Sequence, residues 1–127
     1  MPPKQKKASE HAHQCALVQW AALNLKKYPE LAALYAVPNA GKRSLRMGAR
    51  MKAEGLRAGV PDLCLPVSRN GYGSLYIELK VKGGKVSELQ EIWISRLRHW
   101  GNRVEVAYGW EEARNVLIDY LLKEAIK

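Results

Sequence analysis

Residues 75–81, Leu-Tyr-Ile-Glu-Leu-Lys-Val, alternate without a break. Side chains of a strand point to opposite faces in turn, so Leu75, Ile77, Leu79 and Val81 share one face and Tyr76, Glu78 and Lys80 the other. Upstream the period changes. Ser9 fits a helix cap, and Val18, Ala21, Ala22 and Leu25 follow helical spacing in a helix running to about Lys27. Extended backwards, that stripe reaches Gln14 and Glu10. Pro29 ends the helix, and Leu34–Asn39 is a short strand candidate. The stretch from Ala40 to Gly59 carries Gly41, Gly48, Gly55 and Gly59, which predicts a loop and then a weakly helical or irregular segment. Val60–Ser68 reads as a strand with Pro61 at its mouth, where a missing N–H does least harm. Arg69–Gly73 is a turn. Ser87 opens a second amphipathic helix, with Leu89, Ile92, Trp93, Leu97 and Trp100 on its expected buried side, Arg96 and Arg98 reaching the surface, and Gly101 ending it. Arg103–Tyr108 is a strand and 110–127 a closing amphipathic helix.

The order is helix, strand, basic segment, two strands, helix, strand, helix. It predicts a mixed α/β domain. There is no internal repeat and no linker long enough to split the chain, so residues 1–8 are expected to be a flexible basic tail and 9–127 one domain. No apolar run has the form of a secretory signal or a membrane span. Cys15 and Cys64 give no disulfide framework, and Cys64 sits in an apolar run. A reducing, cytoplasmic compartment is the expectation.

Charge adds a partner class. The 127 residues carry 21 Lys and Arg against 12 Asp and Glu, a net charge of +9. Such a balance attracts a polyanion, most often nucleic acid. The densest cations are Lys42, Arg43, Arg46, Arg50, Lys52 and Arg57, against Glu54 alone. A solvated loop is the bland reading of that stretch, and phosphate contact is the other.

The chemistry centres on two strands. Asp62 starts one of them, and Glu78 and Lys80 share a face of the next. Joined by a short turn, the strands pair as a hairpin and bring Asp62 close to Glu78. Two carboxylates that close repel, which raises a pKa unless a cation sits between them. Such oxygen ligands suit Mg²⁺ or Mn²⁺, and the Leu79 carbonyl could add another. A divalent metal beside Lys80 fits phosphodiester hydrolysis: the metal polarises a phosphate oxygen and lowers the pKa of a bound water, and the lysine can orient that water or offset the growing charge. The dull reading of Glu78 and Lys80 is a surface ion pair. Glu10 has one too, since acids are favoured in a helix's first turn. His11, His13 and Cys15 alternate, which makes a poor zinc site on a helix. No P-loop and no Ser–His–Asp arrangement is present.

Pro61-Asp62 followed by Glu78-Leu79-Lys80 resembles the PD-(D/E)XK nuclease signature. Gly59–Asp62, Ile77–Gln90, the early helix with Glu10 and Gln14, and Pro38–Arg43 are similar to the VRR-NUC group of that superfamily. The resemblance spans roughly Ser9 to Ala113. It implies the PD-(D/E)XK restriction-endonuclease-like fold, a small central mixed sheet flanked by helices. It implies Glu10, Asp62 and Glu78, with Leu79, around the metal, Lys80 as the catalytic lysine, and Gln90 as a supporting residue from the next helix. Leu89 departs from the small or charged residue the group often has there. Ser87-Glu88-Leu89-Gln90 also fits a capping box, and one Gln90 rotamer is not expected to serve both cap and site.

The family further implies Mg²⁺- or Mn²⁺-dependent cleavage of DNA, a homodimer, a four-way (Holliday) junction as substrate, and a bacterial or virus-encoded source. Lys42, Arg43, Arg46, Arg50, Lys82 and Lys85 are candidate DNA contacts, with Tyr72 beside them. Two other readings stand next to this one. The first is a nuclease of flap, nick or restriction-like specificity. The second is a basic DNA-binding module without catalysis.

Overall fold

Ser9 caps the first helix as its position predicts, its Oγ accepting from the Ala12 N–H at 3.1 Å. The structure is a computed structural model and describes residues 8–38 and 45–123. Its elements are α1 (Glu10–Leu23), a 3₁₀ turn (Pro29–Ala33), β1 (Tyr35–Ala36), α2 (Leu45–Ala53), β2 (Leu63–Leu65), β3 (Leu75–Lys80), α3 (Glu88–His99), β4 (Arg103–Tyr108) and α4 (Trp110–Leu121). The sheet order is β1-β2-β3-β4, antiparallel except for the parallel β3–β4 pair that α3 connects. The expected mixed α/β architecture is therefore the observed one. No helix among the described residues is long and apolar enough to cross a membrane.

The alternation of β3 separates two layers. Leu75, Ile77 and Leu79 pack with Leu63, Leu65, Leu17 of α1, and Leu117 and Tyr120 of α4. Tyr76 turns to the other face, against Ile94 and Leu97 of α3 and Val104 of β4. Glu78 and Lys80 follow Tyr76 on that face and are buried, while Tyr76 is half-buried.

The helical faces are rotated from the expected ones. In α1 the buried residues are Leu17 and Ala21, while Val18, Ala22 and Leu25 are exposed. α1 packs on α4 and β3, which select the stripe one residue earlier. The helix also stops before Lys27, because Asn24 caps it: its N–H reaches Ala21 O, and its side chain donates to Trp20 O at 2.7 Å. In α3 the buried line runs through Ile94 and Leu97 with Trp93 half covered, and Leu89, Ile92 and Trp100 are exposed. Strands β1 and β2 are shorter than expected, and prolines 61 and 66 flank the ladder of β2.

Candidate functional site

β2 begins at Leu63, yet its register extends back to the site. Leu63 pairs with Ile77, so Asp62 falls opposite Glu78 and Pro61 opposite Leu79. Asp62 is held twice: its carbonyl accepts from Val37 N–H at 2.7 Å, and its Oδ2 accepts from Leu79 N–H at 2.7 Å. The Leu79 N–H points towards β2, and the carbonyl of a strand residue points to the same side. There the ladder offers it Pro61, which has no N–H to give. Proline at this position thus spares the Leu79 oxygen from the sheet.

Glu78 is 2% exposed and Lys80 8%. Lys80 Nζ stands 3.6 Å from Glu78 Oε1, and Gln90 Nε2 donates to the same oxygen at 2.8 Å. Glu78 Oε2 is buried and has no hydrogen-bond partner among the described residues. Burial, reinforced by the charge of Asp62, pushes the Glu78 carboxyl up to about 8 against the pull of Lys80. Asp62 is also raised, by burial first and then by Glu10, with the Leu79 N–H and Lys80 opposing. A cation between the two carboxylates would favour the charged form of both.

The donor set fits a hard divalent ion. It offers two carboxylates, one of them with an orphaned oxygen, and a main-chain carbonyl freed by proline. Among the described residues no three His, Cys, Asp or Glu side chains gather closely enough to form a cage. Glu10 is exposed in the first turn of α1 and lines a cleft of about 280 Å³ with Asp62 and Leu79. Mg²⁺ is commonly held by one or two carboxylates plus substrate and water, which suits so open a set.

Gln90 corrects the sequence reading. Its Oε1 accepts from Ser87 N–H at 2.8 Å while Nε2 donates to Glu78, and Ser87 Oγ accepts from Gln90 N–H at 3.2 Å. One rotamer does serve both cap and site, because the two ends of the amide have opposite hydrogen-bonding character. Gln90→Glu should therefore keep the cap acceptor but lose the donor to Glu78. Its new carboxylate faces Glu78, so its melting temperature is expected to fall as pH rises above the carboxylate range and to recover in acid, with cleavage reduced about tenfold or more. Gln90→Ala should lose both, and thermal melts beside cleavage rates check the split.

Gly59 sets the approach of the segment before Asp62. At φ +95° it lies against the first turn of α3, where a Cβ would stand 2.8 Å from the main-chain carbon and oxygen of Leu89. Gly59→Ala should cost roughly 1–3 kcal/mol in a denaturant titration, through backbone strain and overpacking together.

The remaining candidates scatter. Lys82 and Lys85 are exposed in the turn between β3 and α3. Arg46 and Arg50 are exposed on α2, where Arg50 pairs with Glu54 at 3.3 Å. Tyr72 sits in the β2–β3 turn, at the opposite end of the hairpin from Glu78. Lys42, Arg43 and most of the Pro38–Arg43 stretch lie outside the described residues, as does the expected tail before Ala8. Two contacts escaped the sequence reading. His13 Nδ1 accepts from Trp110 N–H at 3.0 Å, which caps α4 across the fold because its own N-cap residue, Gly109, has no side chain to do so. Arg57 lines a second cleft with Asp62 and Gln90.

The fold has a counterpart among known proteins. The VRR-NUC domain profile matches residues 4–111. The chain belongs to the VRR-NUC family. A solved structure titled "VRR_NUC domain protein" has the same fold, at 24% identity and a TM-score of 0.82, covering 97% of this chain and 96% of that one. No curated protein sequence matches this chain. VRR-NUC is a nuclease family, so the domain is a nuclease domain whose partner is DNA. Within it, the Asp62, Glu78, Lys80 and Gln90 cluster occupies the end of the two central strands.

Proposed function

We propose that this VRR-NUC domain is a Mg²⁺- or Mn²⁺-dependent endonuclease that hydrolyses DNA phosphodiester bonds at Asp62, Glu78 and Lys80. The observation that carries this reading is the buried Glu78 carboxylate. Gln90 and Lys80 hold one of its oxygens, and the other faces no donor among the described residues. A surface ion pair would be solvated and would leave no such deficit.

Asp62, Glu78 and the Leu79 carbonyl would hold the ion, with Glu10 at the rim. When bound, the metal supplies charge against the phosphate and lowers the pKa of water. Lys80 presents an ammonium, fixed beside Glu78, to the negative charge that grows on the phosphate in the transition state. Gln90 keeps the Glu78 carboxylate in one orientation, and the Leu79 N–H does the same for Asp62.

We further propose a homodimer acting on four-way junctions, in which two such sites on a two-fold axis cut opposed strands. Trp100, two-thirds exposed at the end of α3, suits a subunit contact. A substrate panel tests this reading. Labelled four-way junction, linear duplex, flap and nicked duplex are incubated with Mn²⁺, and the protein's mass is measured in solution. Paired symmetric cuts in the junction by a dimer are expected. Equal cutting of all four DNAs, or a monomer, would leave the nuclease and remove the junction preference.

A further inference from the structure

Two clefts meet at Asp62. The first, of about 280 Å³, carries Glu10 and Leu79. The second, of about 170 Å³, carries Arg57, Gly59, Ser87 and Gln90. Pro38 and Asp62 line both. A DNA strand lying across Asp62 therefore passes from an acidic mouth into one whose cation is Arg57.

Arg57 differs from the paired arginines of the fold. Arg50, Arg69 and Arg103 each face a carboxylate, at 3.3, 2.6 and 2.8 Å. Arg57 is exposed and has no ion pair among the described residues. Two residues on, the Gly59 backbone lies close against Leu89, which keeps this segment beside the first turn of α3. A phosphate leaving the Asp62–Glu78 centre meets acidic charge there and needs a compensating cation. A guanidinium matches phosphate geometry in a way an ammonium does not.

We propose that Arg57 binds the DNA phosphate that flanks the scissile one, and that the cleft between the Gly59 segment and α3 is a phosphate subsite. The proposal rests on the nuclease reading above and names how that site holds its substrate. Arg57 would set which bond of the strand enters the metal centre, as a substrate-binding residue rather than a source of chemistry.

The test measures DNA binding in EDTA across a salt series, beside cleavage in Mn²⁺. Arg57→Ala should bind about tenfold more weakly at low salt, with the slope of log K against log salt smaller by about one. Arg57→Lys should recover most of the slope, since it keeps the charge. Arg96→Ala, which removes a cation stacked on Trp93 on α3, should match wild type in both measurements. A neutral methylphosphonate is then moved along the strand. Wild-type cleavage should drop at one position beside the cut, and Arg57→Ala should lose nothing further there.

If Arg57→Ala matches Arg96→Ala in slope and in methylphosphonate profile, the subsite is wrong while the nuclease stands. If no protein cuts DNA but the slope still falls in Arg57→Ala, the subsite stands as a binding site and the nuclease reading fails.

Discussion

Replacing Lys80 with methionine should lower the cleavage rate by about 10²–10³-fold and leave DNA affinity nearly unchanged. Methionine fills the space of the buried lysine stem, so packing is largely kept and only the ammonium is lost. That ammonium is 3.6 Å from Glu78 Oε1 on the face that carries Asp62. It has little to offer a ground-state complex that exposed cations can already bind. Its effect belongs to the charge that develops during hydrolysis, so the loss should fall on the single-turnover rate constant. An unchanged rate in Lys80→Met would reduce the Glu78–Lys80 pair to a structural contact.

Glu78→Gln should abolish metal-dependent cleavage and at the same time make the metal-free protein more stable at alkaline pH. Burial pushes the Glu78 carboxyl up to about 8 in the folded chain, against an ordinary value of 4.5 in the unfolded one. The folded protein therefore keeps a proton that the unfolded chain releases. The resulting stability is complete below about pH 4.5 and is lost as pH rises to 8 and beyond. In EDTA, wild type should melt progressively lower over that window, while Glu78→Gln, which has no proton to release there, should lack this component. Near pH 5 the two proteins should melt close together, and above pH 8 the variant should lead by several degrees. Added Mg²⁺ or Mn²⁺ should restore wild type increasingly as pH rises, because the ion replaces the proton. It should do little for the variant. Parallel pH profiles for the two proteins would mean that Glu78 has a charge partner throughout. A site residue that costs stability in the absence of its ligand is what a stability–activity trade-off predicts.

The sequence carried the strand chemistry well. The alternation of 75–81 placed Glu78 and Lys80 on one face, and the short turn to β2 was enough to set Asp62 opposite Glu78. Helix faces were less legible. In α1, two overlapping stripes of Ala, Val and Leu differ by one residue, and only the packing of α4 and β3 selects Leu17 over Val18. In α3 the signal was present but misread. The inward face runs from half-buried Gln90 and Trp93 to buried Ile94 and Leu97, so a polar residue holds the place nearest Glu78. A stripe drawn through apolar residues alone skips it. The His13 cap on α4 joins residues 97 apart in the chain, and no local pattern announces such a contact. Arg57 was one cation among six until the fold placed it beside Asp62.

The most direct test of the metal-dependent site is single-turnover cleavage of a labelled four-way junction. Wild type and Glu78→Gln are compared in Mg²⁺, in Mn²⁺ and in EDTA, with binding confirmed in each case. The expected result is cleavage by wild type in either metal, none in EDTA, and none by the variant under any condition. Cleavage that persists in EDTA, or in Glu78→Gln with metal, would contradict the account, because the chemistry would then lie somewhere other than the Asp62–Glu78 pair.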